Sequence, residues 1–340
     1  MSTANTVKVA CVGYVFVPAA QDIIRGIAPD GFELKFAENW DAESEKWVED
    51  SDFLFVVSPV TAAMIARALK LKMIQKWGIG VDKIDLPAAE KAGIFVAITA
   101  GANAATVAEH TLMHMLATMR RLPLADRAMK EGRWIVGELR PQSRKLAGKT
   151  VGILGFGNIG KAVAARLQGF GVKIIYHDTL GPMEEAGRKL NATYVSMDDL
   201  LTQSDVLTLH IPGGKANKQI IGKAAIAKMK PEVTIINAAR GDLIDEDALA
   251  DALASGKVLG AGLDTFDQEP VQPGHPAIRL IAFPNVVATP HSAGSVLDNV
   301  APMAAHGLEN IQRLLQGQKP SKADLIVDPA KPRMTGVVAR

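Results

Sequence analysis

The chain has 340 residues and a net charge of +2, with 38 Lys and Arg against 36 Asp and Glu, a balance that gives no field arguing for nucleic acid or an anionic membrane surface as partner. Its length sets a prior of about two domains, and 48% hydrophobic with 22% charged residues is ordinary for a globular protein. Cys11 is the single cysteine, which excludes an internal disulfide, and no apolar run reaches the ~20 residues of a membrane span, so the expected location is the cytoplasm.

The opening stretch VKVACVGYVFVPAA is apolar enough for a signal peptide to be considered. Its basic region is Lys8 alone, and a first strand explains it better. Through residue 97, apolar runs (VKVACVG, ELKFA, FLFVVS, KMIQKWG, IFVAI) alternate with helix-like stretches near 18–27, 42–49, 61–69 and 86–92. Asp85 with Pro87 just after it marks a helix start. Such alternation predicts a parallel sheet with helices on its faces. Residues 103–121 predict a long helix, with Ala108, Leu112, Met115, Leu116 and Met119 at helical spacing. It is either a core helix or one that links two domains and buries part of a subunit interface. His110 and His114 lie four apart without an HExxH pattern or a third ligand, so no metal site is expected.

Residues 150–178 read as strand, glycine turn, helix, strand, acid. Val151, Ile153 and Leu154 form the first strand; Gly155, Gly157 and Gly160 form a GxGxxG turn; a helix is expected over 158–169. Gly155 permits the tight turn, Gly157 lets the backbone approach a pyrophosphate, and Gly160 lets the helix pack close to the sheet. The N–H groups near Asn158 and Ile159 would face the phosphates. The second strand, Val172 to Tyr176, ends at Asp178, which is 18 residues past the last glycine, near the ~20 expected of a ribose-binding carboxylate. A glycine-rich turn in some other βαβ unit is the plain alternative. Asp178 favours NAD, because a carboxylate repels a 2′-phosphate and accepts hydrogen bonds from a 2′-hydroxyl; an NADP-preferring reductase is disfavoured on the same ground.

After Asp178, VLTLHIP (206–212), VTIINAARG (233–241), GAGLD (260–264) and NVVATPH (285–291) read as strands. His210, Arg240, Asp264 and His291 sit at or just past their carboxyl ends, where open α/β sheets bind ligands. Residues 295–317 read as one amphipathic helix, and the Pro-containing tail from 318 as an extended or loosely packed arm. Reduction of a 2-keto acid needs a cation for the carboxylate, a proton donor for the carbonyl oxygen, and a partner for that donor. Arg240 has the planar fork for a carboxylate. His291 suits acid–base work near neutral pH, and Glu269 can bond its other nitrogen and stabilise the cation. Taken singly, Arg240 is also readable as a surface arginine, Glu269 as a solvated loop acid and His291 as a satisfied histidine.

NAARGDLIDEDAL, GAGLDTFDQEP and NVVATPHSAG resemble the three signature regions of the D-isomer-specific 2-hydroxyacid dehydrogenases, and KWGIGVDKIDL and ANAATVAEHTLMHMLATMRR resemble that family's substrate loop and inter-domain helix. The likeness spans about residues 50–315. It implies an α/β fold of two Rossmann-like or flavodoxin-like parallel-sheet domains with a cofactor cleft between them. One would be a discontinuous substrate domain, 1–102 plus 295–340; the other is an NAD-binding domain, 103–294. It implies Arg240, Glu269 and His291 as the catalytic set, with Arg240 and His291 also touching substrate. It further implies that Asp264 bonds the nicotinamide carboxamide and that Ile211, Pro212, Ala238 and Ala239 line the cofactor cleft. His210, Thr106, Ala293 and Gly294 complete the expected cofactor set. Ile79 and Gly80 would offer backbone N–H groups to the substrate carboxylate as the cleft closes. Lys76 is either a phosphate-binding residue or a solvated strand-end lysine, and Trp77 is bulky enough to narrow the pocket. Family members are typically homodimers, so a homodimer is expected, with a small 2-keto or 2-hydroxy acid as substrate.

Three departures from the family pattern stand out. Asn158 replaces a common arginine. Gly213, Gly214 and Asn217 make the following loop unusually glycine-rich, which puts its side-chain contacts in doubt. The Glu269–His291 interval of 22 residues is a few longer than the family's, with residues 281–283 as the apparent excursion. Glutamine stands at the Glu269 position in the family's formate dehydrogenases, so formate is disfavoured. Glyoxylate, hydroxypyruvate and 3-phosphohydroxypyruvate stay open. The alternative from another class is a non-catalytic NAD-binding regulator of the same fold, like the family's corepressor relatives.

Overall fold

The computed structural model describes residues 6–333, in two units: the described residues up to Asn103 together with those from Ser295 onward, and Ala104–Gly294. In the first, β1 (Val7–Val12), α1 (Pro18–Ile27), β2 (Phe32–Ala37), α2 (Ala42–Asp50), β3 (Phe53–Val56), α3 (Ala62–Arg67), β4 (Met73–Lys76), α4 (Leu86–Lys91) and β5 (Phe95–Ala97) follow in order. The sheet runs β2-β1-β3-β4-β5 with all these pairs parallel, the strand order of flavodoxin-like folds. Residue alternation sorts the core. Phe53 and Phe55 pack with Phe16 and Met73 on one face, and Leu54 and Val56 pack with Ile65, Ile74 and Val96 on the other. Asp41, Thr61 and Asp85 cap α2, α3 and α4 by accepting backbone N–H groups.

The second unit contains α5 (Ala104–Met119), α6 (Leu122–Lys130), α7 (Val136–Leu139), β6 (Thr150–Leu154), α8 (Asn158–Leu167), β7 (Lys173–His177), α9 (Glu184–Lys189), β8 (Ala192–Tyr194), α10 (Met197–Gln203), β9 (Val206–Leu209), α11 (Lys223–Lys228), β10 (Val233–Asn237), α12 (Glu246–Ala254), β11 (Val258–Leu263), α13 (Ala277–Ile281) and β12 (Val286–Ala288). Its seven strands are all parallel in the order β8-β7-β6-β9-β10-β11-β12. The order reverses between β6 and β9, the switch point at which doubly wound sheets bind dinucleotides. The chain then returns to the first unit with α14 (Val300–Leu315) and β13 (Leu325–Val327).

Several expectations need correction. The strands expected over 206–212, 233–241 and 285–291 stop at 209, 237 and 288, so the functional residues beyond them sit in turns. At β10 the cause is Asn237, whose side chain accepts from Ala239 N at 3.0 Å and donates to the Arg240 carbonyl at 2.8 Å, curling the chain off the sheet. The helix expected over 158–169 ends at 167 and tightens into a 3-10 turn over Gln168–Phe170. The helix expected from 295 begins at 300, after a 3-10 turn over Leu297–Asn299. Pro302 has no N–H to give and fits only a first turn. The tail is not a loose arm over its described part: β13 pairs antiparallel with the β5 edge. Just before it, Asp324 accepts from Ala100 N, Ser321 Oγ and His306 Nε2, and its carbonyl takes Ile98 N. Among the described residues, no helix is long and apolar enough to cross a membrane, and no group of three or more His, Cys, Asp or Glu is placed to hold a metal.

Candidate active site

The glycine turn after β6 has the shape a dinucleotide requires. Gly155 has φ +92°, and a Cβ there would lie 2.5 Å from the His210 carbonyl oxygen; one on Gly160 would lie 2.1 Å from the Gly155 oxygen. Both are closed to any side chain. Gly157 faces open space and caps α8 without any side-chain hydrogen bond. The first N–H groups of α8, at Asn158 and Ile159, therefore stay available to an anion, with the helix dipole behind them. Asp178 ends β7 beside this turn. One carboxylate oxygen accepts from Phe156 N at 2.8 Å and the other from Leu180 N at 2.9 Å, and each keeps lone-pair capacity for a ribose diol. Turn, helix terminus and acid fit an NAD pyrophosphate and ribose.

At the next strand end, the His210 backbone N–H donates to the Leu154 carbonyl and its ring Nε2 lies 2.9 Å from Thr208 Oγ1. Burial holds its imidazole neutral, pushing the pKa down to about 3. Ile211 and Pro212 lead into the glycine-rich loop. The loop is anchored by one backbone and one side-chain donor: Gly214 N donates to Asp242 Oδ2 at 2.7 Å, and Asn217 Nδ2 donates to the Pro212 carbonyl at 2.9 Å. Ala238 and Ala293 are buried together with Val107 of α5 and with Ile159, so the β10 turn, the turn after β12 and the start of α8 share one small apolar contact. Thr106, the neighbour of Val107, is half-buried on α5, Ala239 is half-buried beside Ala238, and Gly294 closes the unit.

Arg240, Glu269 and His291 come from three different strand ends. His291 Nδ1 and Glu269 Oε2 are 2.8 Å apart, and Glu269 Oε1 accepts from Phe266 N at 3.1 Å. The excursion at 281–283 falls at the end of α13 and leaves this pair intact. Arg240 donates from Nη1 to the Ala239 carbonyl at 2.6 Å. Its turn is brought against the Glu269 loop by Gly241: a Cβ there would lie 1.8 Å from the Phe266 carbonyl carbon and 2.2 Å from Asp267 N. Only glycine allows that approach.

His291 has φ +51°, a left-handed conformation that costs a non-glycine residue ~1–2 kcal/mol. Asp264 holds it there. The Asp264 carbonyl accepts His291 N at 2.7 Å, and its carboxylate accepts Ser292 N at 2.9 Å and Ala293 N at 3.0 Å. Burial would push this carboxyl up. Hydrogen bonds from His110, Thr289, Ser292 and Ala293 outweigh that and hold it down at about 2. Thr289, Asn237 and Gly241 were not singled out in the sequence. Asn237 was findable as an Asx residue at a strand end, whereas nothing local marks Thr289.

Three expected substrate residues belong to the first unit. Lys76 ends β4 and is buried rather than solvated, its Nζ donating to the Val57 carbonyl at 3.0 Å. Ile79 is exposed and Gly80 half-buried in the loop that follows, which Gly78 (φ +100°) starts with bonds to Thr99. Trp77 is half-buried against the core of this unit, edge-to-face with Phe16 and Phe55 at 5.3 Å.

Residues 112–293 match the family described as "D-isomer specific 2-hydroxyacid dehydrogenase, NAD binding domain". The chain belongs to that family. Among its relatives is a hydroxypyruvate reductase of Thermotoga maritima, 43% identical over 260 residues, 75% of this chain and 82% of the relative. A glyoxylate reductase of Korarchaeum cryptofilum is 35% identical over 80% of this chain and 82% of its own. A D-3-phosphoglycerate dehydrogenase of Archaeoglobus fulgidus is 39% identical over 75% of this chain, but the match spans only 48% of that longer protein. Among solved structures, an NAD-dependent formate dehydrogenase of Staphylococcus aureus in complex with NAD has TM-score 0.82 and 27% identity, covering 95% of this chain and 100% of its own. The protein is thus an oxidoreductase acting on CH–OH groups, and its cofactor is NAD.

Proposed function

We propose that this dehydrogenase interconverts a small 2-keto acid and its D-2-hydroxy acid, with hydroxypyruvate and glyoxylate as the substrates it handles best. The observation that carries the reading is the 2.8 Å Glu269–His291 pair behind a turn that also brings in Arg240. NAD supplies the hydride chemistry when bound, held by the Gly155–Gly160 turn, the start of α8 and Asp178. Arg240 takes the substrate carboxylate. During reduction, His291 gives the proton on Nε2 to the carbonyl oxygen while Nδ1–H stays with Glu269; during oxidation the same nitrogen takes the hydroxyl proton back. Glu269, 2.8 Å from Nδ1, fixes which nitrogen faces the substrate. Oxidation of formate releases no hydroxyl proton, so a carboxylate–imidazole pair argues for hydroxy acids instead. Burial of Lys76, with its ammonium turned to a carbonyl, supports unphosphorylated acids over a phosphate ester.

A homodimer is part of the reading. Leu122, Met129, Trp134 and Val136, on and between α6 and α7, are 56–79% exposed, more large apolar surface in one short segment than a monomer ordinarily shows to water. The test of function is NADH oxidation with a panel of glyoxylate, hydroxypyruvate, 3-phosphohydroxypyruvate, pyruvate and bulkier 2-keto acids. The reading expects the highest kcat/KM with hydroxypyruvate or glyoxylate. Preference for the phosphorylated acid would overturn the substrate choice, and NADH binding without turnover would overturn catalysis.

A further inference from the structure

Two histidines on α5 converge on one hydroxyl. His110 Nε2 and His114 Nε2 each lie 3.0 Å from Thr289 Oγ1, with their rings 4.6 Å apart, and Thr289 Oγ1 lies 2.5 Å from Asp264 Oδ1. A threonine hydroxyl has one proton to give and two lone pairs. Asp264 is an ionised acceptor, so the Thr289 proton goes there, and both lone pairs are left for the two histidines when each carries its proton on Nε2, with His110 Nε2 also 3.3 Å from Asp264 Oδ1. The hydroxyl is then saturated. His114 is fully buried, and burial and the neighbouring His110 push its pKa down to about 4, so it is neutral with one N–H to give. The helix reaches this position because β11 has no side chain in the way: a Cβ on Gly262 would lie 2.8 Å from His114 Cβ and Nδ1. Downstream, Asp264 takes the backbone N–H groups of residues 291, 292 and 293 in succession.

We infer that Thr289, His110 and His114 are positioning residues for the reaction: they fix the Asp264 carboxylate, and Asp264 in turn holds the left-handed turn that aims His291. This rests on the reading of His291 as proton donor. None of the three is assigned a contact with substrate. Their function is to remove freedom from a carboxylate that would otherwise rotate about its own side chain and release the turn. The donor pattern is what matters, so substitutions that keep a hydroxyl at 289 or an N–H at 110 and 114 are tolerated, whereas shape-matched substitutions without them are not.

The test compares Thr289→Val with Thr289→Ser and His114→Phe with His114→Gln in the full chain, using NADH and hydroxypyruvate well below each variant's Tm. Concentrations are normalised to NADH-binding sites, so loss of folded protein does not register. Thr289→Val is expected to lose about tenfold or more in kcat, since small misplacements of reacting groups cost one to two orders of magnitude. KM for hydroxypyruvate and Kd for NADH should stay within about threefold, and the pH midpoint of kcat/KM should move as His291 loses its alignment with Glu269. Thr289→Ser and His114→Gln should restore both kcat and the midpoint. A folded Thr289→Val with kcat and midpoint like the parent overturns the inference. If that variant does not fold, equal kcat for His114→Phe and His114→Gln overturns it. Full turnover in His291→Ala would instead refute the underlying reading of the site, and the two failures are separable.

Discussion

Gly241→Ala is a sharp test of how the site is assembled. A Cβ at this position would lie 1.8 Å from the Phe266 carbonyl carbon and 2.2 Å from Phe266 O and Asp267 N, against the 3.0 Å that real Cβ contacts keep. All three atoms are backbone, so no rotamer change relieves the clash. The Arg240 turn and the 266–269 loop must part by about 1 Å. That displacement separates Arg240 from the Glu269–His291 pair, and a misplacement of this size costs about a hundredfold in rate. Overpacking adds ~1–3 kcal/mol of destabilisation, or ~2–4 °C in Tm per kcal/mol for a unit of this size. The assays are kcat/KM for hydroxypyruvate and a thermal melt. NADH affinity should change little, because the glycine turn after β6 is untouched. A Gly241→Ala protein within threefold of the parent in kcat/KM would refute the claim that this backbone contact sets the geometry.

Gly160→Ala, with its Cβ 2.1 Å from the Gly155 oxygen, should instead weaken NADH binding by tenfold or more, measured by fluorescence titration; unchanged Kd would contradict the turn assignment. Asp178→Ser should raise the kcat/KM ratio of NADPH to NADH by at least about tenfold, since it removes the charge that repels a 2′-phosphate. Acid should destabilise the fold in two stages. His114 and His210 have folded pKa values of about 4 and about 3 against 6.5 when free, so below about pH 6.5 the unfolded chain takes protons the folded one refuses, and each costs on the order of 2 kcal/mol by pH 5. Asp264, held at about 2 against 3.8, stabilises the fold above about pH 4, and its contribution is lost as pH falls through about 2. An equal urea midpoint at pH 7 and pH 5 would count against the buried neutral histidines.

The fold was largely legible because its signals are periodic and local. Buried parallel strands such as Phe53–Val56 and Val206–Leu209 read as short apolar runs, and Asp85 with Pro87 marks α4 correctly. Strand ends read too long where a polar side chain curls the backbone, as Asn237 does. The tail read as loose because its prolines hide the two alternating apolar residues, Leu325 and Val327, that pair with β5. In the site, the chemistry-bearing side chains were visible by type and by family resemblance. The supporting contacts were not. Gly241 and Gly262 look like any small residue until the atoms beyond them are known. Thr289 gains its role from two histidines 179 and 175 positions away, which the sequence offered only as an incomplete metal pair.

The central claim is that His291, backed by Glu269, moves the proton while NAD binding is handled elsewhere in the unit. The most direct measurement is kcat for hydroxypyruvate reduction by His291→Ala at saturating NADH, with the Kd for NADH measured on the same sample. The account predicts a loss of two to four orders of magnitude in kcat, the range general acid catalysis supplies, and a Kd within about threefold of the parent. Near-normal turnover, or a collapse of NADH binding that alone explains the loss, would contradict it.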